Sequence, residues 1–227
     1  MIPYGRQSIT SLDALRVAFQ IRFRTLTQGP KIAEFEKAVA EYVGSKYAVA
    51  VSSATAGLHL STLALSSGQS GKVITSPISF AASSNSIIYA GLTPLFVDID
   101  PKTLNINCEG IAQITEKNDE ILGITAVHFA GAACDMEAIA DLAKRKGLFL
   151  IEDAAHGLGG QYLTGENIGC CKYSDATVFS FHPVKSVTTG EGGVITTNNK
   201  ELYELLLSLR SHGFARESTP IDNQILG

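Results

Sequence analysis

Between Lys31 and Val43 the apolar side chains Ile32, Phe35, Val39, Tyr42 and Val43 recur at helical intervals, and Gly44 is placed to cap the C-terminus of the helix they predict. Beyond Gly44 the pattern changes. Short runs rich in apolar and β-branched residues at 47–51, 73–75, 94–97, 121–127, 148–151, 177–179 and 194–197 read as strands. Stretches of helical period at 57–65, 80–89, 136–145 and 200–209 lie between most of them. Largely apolar strands alternating with helices predict an α/β fold, a mainly parallel central sheet covered by helices on both faces. Ligands of such sheets sit at the carboxyl ends of the strands. No internal repeat, low-complexity segment or linker interrupts the chain, so residues 1–227 read as one domain.

Composition narrows the function classes. The chain is 45% hydrophobic and 18% charged, as expected of a folded globular domain. Its net charge of −4 and lack of any Lys/Arg block argue against nucleic acid or an anionic membrane as partner, so any phosphate must be recognised locally. Cys108, Cys134, Cys170 and Cys171 have no paired metal-ligand spacing, which predicts reduced thiols and no metal site. The N-terminus lacks a secretory pattern and no apolar run approaches about 20 residues, so a cytoplasmic protein is expected.

Four segments carry candidate chemistry. Val49–His59 runs from a strand through Ser52, Ser53, Ala54 and Thr55 into a helix. Small side chains there let an anion approach the first-turn N–H groups; the same residues also suit a plain serine N-cap. Leu148–Gly157 ends a buried strand in Glu152 and Asp153, with His156 three residues on. Asp153 suits pairing with a protonated pyridine nitrogen and His156 a hydrogen bond to a ring oxygen, or else the pair caps and packs the next turn. Phe80, after another strand end, can stack on a flat ring or simply fill core. Finally, Lys185 closes the run Ser180-Phe181-His182-Pro183-Val184-Lys185, just before Thr189-Gly190-Glu191-Gly192-Gly193. An amine so placed can enter a cleft and bond to a carbonyl cofactor, whereas most lysines are solvated surface residues. Ser180 can donate to a phosphate or serve as an ordinary strand serine. His128 and His182 read as structural.

In this order and spacing, the Ser-Ala-Thr cup, Glu152-Asp153-Ala154-Ala155-His156 and the run ending at Lys185 resemble the nucleotide-sugar aminotransferases of the DegT/DnrJ/EryC1/StrS family. Ile2–Gln7, Leu26–Pro30, Ser76–Phe80 and Thr188–Gly193 are most similar to its pseudaminic acid branch. The resemblance implies a fold-type I pyridoxal phosphate (PLP) transferase, working as a homodimer, with L-glutamate as amino donor. Its acceptor would be C4 of a UDP-linked 4-keto-6-deoxy-N-acetylhexosamine. It makes Lys185 the covalent and proton-transferring lysine, and Asp153 the partner of the pyridine nitrogen. His156 would meet the phenolic oxygen and Phe80 the ring face. Ala54, Thr55 and Ser180 would hold the phosphate, and Tyr4, Leu26 and Thr27 would line the sugar nucleotide. Ser186 and Val187 depart from the branch's usual proline and isoleucine.

Family members continue past an element like Asn223–Gly227 into a small C-terminal domain, so residues 1–227 are expected to be the PLP-binding large domain alone. Two other readings keep the fold. One is a dimeric regulatory or scaffolding protein that retains the pocket without turnover. The other is a nucleotide-binding domain without pyridoxal chemistry, which the missing glycine fingerprint disfavours.

Overall fold

The structure is a computed structural model and describes residues 7–213. Seven strands form one sheet: β1 (Tyr47–Val51), β2 (Lys72–Thr75), β3 (Thr93–Phe96), β4 (Ile121–Val127), β5 (Phe149–Asp153), β6 (Ala176–Ser180) and β7 (Gly193–Thr197). Their order is β1-β7-β6-β5-β4-β2-β3. All pairings are parallel except those of β7, which runs antiparallel to both β1 and β6. Each expected strand is present.

The described residues also form seven α-helices: α1 (Ser11–Phe23), α2 (Pro30–Val43), α3 (Ala54–Ser66), α4 (Ala81–Tyr89), α5 (Cys108–Thr115), α6 (Met136–Lys146) and α7 (Lys200–Arg210). The period-two alternation of each strand divides the core in two. On one face Val49, Ile151, Val178 and Ile195 pack with Leu58 of α3 and Leu202 and Leu206 of α7. On the other, Ile124, Leu150, Phe179 and Val194 meet Val43 of α2, Ile111 of α5 and Ile139 of α6. Helices therefore cover both faces, as the apolar strands require.

Two helices escape the apolar pattern. In α1 the residues Leu12, Leu15, Val17, Phe19, Ile21 and Phe23 spread around the axis, and the helix buries none of its side chains. Its start is set by a capping box in which Thr10 and Asp13 bond each other's backbone N–H groups. The eight-residue α5 begins where the Asn107 side chain accepts from the N–H groups of Glu109 and Gly110.

No helix among the described residues is long and apolar enough to cross a membrane. None of their His, Cys, Asp and Glu side chains form a group suited to a metal ion.

Candidate active site

Because β1, β2, β5 and β6 point the same way, the segments that follow them meet at one edge of the sheet. That edge holds the start of α3, the start of α4, Asp153, His156, Ser180 and the loop bearing Lys185. The first turn of α3 is fixed by Ser53, whose Oγ accepts from Ala56 N at 3.1 Å and whose carbonyl accepts from Gly57 N at 3.0 Å. The N–H groups of Ala54 and Thr55 come before any intrahelical acceptor and add to the positive end of the helix dipole. Thus Ser53 caps the helix without engaging the N–H groups of Ala54 and Thr55.

The cup rests on the first residue of β7. A Cβ at Gly193 would lie 2.5 Å from Ser53 C and 2.6 Å from Ala54 N, inside the backbone itself. Gly193 also stands opposite Ser180 of β6 and Val51 of β1, which places Ser180 one strand from the cup. Gly193→Ala is expected to push the start of α3 off the sheet, with about 1–3 kcal/mol lost in urea unfolding and weaker phosphate binding by titration. Unchanged stability together with unchanged phosphate affinity would refute this close-approach argument.

Asp153 ends β5 and is buried. Its Oδ2 accepts from Ser83 Oγ of α4 at 2.6 Å and its Oδ1 from Ala155 N at 3.2 Å. The carboxylate is thereby held from two elements. The other face of β5 carries Glu152, fully buried, whose Oε2 accepts from His128 Nε2 and Tyr162 OH, each at 2.7 Å. Its Oε1 accepts from Ser174 Oγ and, at 2.9 Å, from Thr177 Oγ1. Burial by itself would raise the Glu152 carboxyl; the His128, Ser174 and Tyr162 donors outweigh it and hold it below the usual carboxylate range. Cys134 N donates to His128 Nδ1, so the ring carries its proton on Nε2, facing Glu152. His128 is thus structural, as its sequence context suggests, and the network ties β4, β5, β6 and the connection at 154–175 together.

Lys185 is half-buried, and burial lowers its amine below the ordinary lysine value against the opposing pull of Asp153. Its Nζ lies 2.5 Å from His156 Nε2. Burial and the neighbouring lysine together lower His156 as well. The loop is clasped at its base: Phe181 N donates to Gly192 O, and both Thr188 Oγ1 and Thr189 N donate to Phe181 O. Phe181 itself is buried edge-on against Phe35 of α2.

Phe80 forms the N-cap of α4 and is 78% exposed, so it is not core. Leu26 and Thr27 lie exposed in the connection from α1 to α2, without a hydrogen bond to the strand-end residues among the described residues. Tyr4 is outside the described residues. Ser83 and the role of Glu152 are absent from the sequence reading, since each depends on partners far along the chain.

This donor set suits a phosphorylated cationic heterocycle with an aldehyde. It offers helix N–H groups, an anchored carboxylate, an exposed aromatic face and an amine with lowered proton affinity.

Residues 8–227 match the sequence model of the DegT/DnrJ/EryC1/StrS aminotransferase family. The chain is 39% identical over 223 residues to the UDP-4-amino-4,6-dideoxy-N-acetyl-beta-L-altrosamine transaminase of Campylobacter jejuni, covering 96% of this chain and 57% of the relative. Among solved structures, Helicobacter pylori PseC, an aminotransferase involved in the biosynthesis of pseudoaminic acid, superposes with a TM-score of 0.87 at 33% identity. It covers 95% of this chain and 57% of its own. The sugar aminotransferase Spr1654 of Streptococcus pneumoniae in its PLP form gives 0.83 at 29% identity, over 92% of this chain and 57% of that one. The chain spans between 54% and 57% of the length of the curated relatives it matches.

Proposed function

Because the chain belongs to the DegT/DnrJ/EryC1/StrS aminotransferase family, we propose that it forms the cofactor-binding part of a PLP-dependent nucleotide-sugar aminotransferase. The reaction is transfer of an amino group from L-glutamate to C4 of a UDP-linked 4-keto-6-deoxy-N-acetylhexosamine, the amination step of pseudaminic acid biosynthesis. The observation that carries this reading is Lys185, whose amine is half-buried against His156 at the sheet edge that also holds Asp153 and the open turn of α3.

When bound, PLP supplies an aldehyde that exchanges with amines and a cationic ring that stores an electron pair. Lys185 would hold the cofactor covalently through its Nζ. Its amine, neutral more readily than that of an exposed lysine, would serve as the base that carries a proton between the amino donor's Cα and the cofactor. Asp153 pairs with the ring nitrogen and keeps it protonated. Ala54, Thr55 and Ser180 hold the phosphate, His156 meets the phenolic oxygen, and Phe80 covers one ring face. Tyr4, Leu26 and Thr27 line the sugar nucleotide.

The enzyme works as a homodimer in the cytoplasm. The exposed apolar side chains of α1, Leu15 and Phe23 among them, support burial against a further surface. The four free cysteines fit a reducing compartment.

Glutamate added to the PLP-loaded protein is expected to yield pyridoxamine phosphate and 2-oxoglutarate, followed by absorbance and mass spectrometry. PLP binding without this conversion would support the regulatory protein of the same fold instead. A protein that binds no PLP at all would end both readings.

A further inference from the structure

Among the described residues the buried hydroxyl of Ser83 has a single polar target outside its own helix, the carboxylate of Asp153, at 2.6 Å across 70 residues of sequence. Ser83 is fully buried in the first turn of α4, and its N–H bonds the carbonyl of Phe80, the N-cap of the same helix. One residue therefore joins two parts of the site, the carboxylate through its hydroxyl and the Phe80 turn through its backbone N–H. It fixes the carboxylate oxygen at the end of β5, and it fixes the turn that carries the exposed Phe80 ring.

We propose that Ser83 is a positioning residue for the cofactor's ring nitrogen, acting through Asp153; this rests on the PLP reading above. The chemistry is that of a carboxylate with two anchors. Ala155 N restrains Oδ1 and Ser83 restrains Oδ2, so the group cannot rotate away from a cation placed before it. Without Ser83, Asp153 keeps the Ala155 N–H on Oδ1 but loses the anchor on Oδ2.

A plain packing role for Ser83 makes a different prediction, because it would affect any ligand of the cleft alike. The discriminating pair is PLP and its carbocyclic analogue, in which the ring nitrogen is replaced by C–H and the phosphate and aldehyde are kept. Equilibrium binding of both is measured on the full chain, the Ser83→Ala variant and the Ser83→Thr variant, with thermal unfolding of each.

The wild-type chain is expected to prefer PLP over the analogue. Ser83→Ala should reduce that preference by about tenfold, and Ser83→Thr, which restores the hydroxyl, should retain it. A preference unchanged in Ser83→Ala, an equal loss for both ligands, or a loss in Ser83→Thr overturns the role of Ser83 while leaving PLP binding intact. A wild-type chain that binds PLP without preferring it also overturns the role. Failure of the wild-type chain to bind PLP overturns the cofactor reading and this inference with it.

Discussion

Lys185→Ala is expected to eliminate the borohydride-stable PLP adduct at this position and to slow the glutamate half-reaction by about ten-thousandfold or more. The size follows from two losses at one atom. The covalent anchor disappears, and so does the base that moves the proton between Cα and C4′. Lys185→Arg should do no better, because a guanidinium stays charged and cannot serve as base or nucleophile. The wild-type rate of adduct formation should rise with pH and level off below the ordinary lysine value, since burial favours the neutral, reactive amine. Peptide mapping after borohydride reduction, with single-turnover kinetics, checks both parts. An adduct that persists at the same yield in Lys185→Ala, or a rate within tenfold of wild type, removes Lys185 from the mechanism.

The second large effect is on stability. Glu152→Ala should cost roughly 3–5 kcal/mol in urea unfolding, because His128, Tyr162, Ser174 and Thr177 all lose a buried acceptor at once. Glu152→Gln should cost less. The Ser174 and Thr177 hydroxyls can rotate to accept from an amide, whereas the His128 Nε2–H needs the remaining oxygen.

The carboxyl also makes the fold acid-sensitive in a defined direction. A glutamate held below its unfolded value of about 4.3 adds stability that is fully present above that pH. This contribution is lost as pH falls through the lower folded value. Glu152→Gln should therefore flatten the acid limb of the stability profile while lowering its plateau. An acid limb identical to wild type would show that Glu152 is not the titrating group.

Seven strands were legible because apolar runs buried on both faces leave a strong local signal. The reversal of β7 was not, since strand direction is set by pairing with distant β1 and β6 rather than by composition. Helix α1 was missed because its apolar residues follow no single stripe, and the structure gives it no buried face to explain one. Lys185, Asp153 and the small residues at 52–55 were readable in their local contexts, each at a strand end or in a glycine-flanked loop. Ser83 was invisible for the opposite reason: a serine in a helical turn says nothing of a carboxylate 70 positions away. Glu152 sat in plain view beside Asp153. Only the alternation of β5 separates the two, sending one to the ligand edge and the other into the network beneath.

The placement of β7 also sets a timetable for the nascent chain. Among the described residues β1 has no strand partner except β7, and residues 193–197 are made some 140 positions later. Until they emerge from the ribosome, β1 presents a bare apolar edge open to wrong partners, and the turn of α3 has no Gly193 to lie on. Pairings this distant raise contact order and slow folding. A chain released before β7 therefore leaves the edge of β1 unpaired and the start of α3 without its support, which makes it an aggregation hazard.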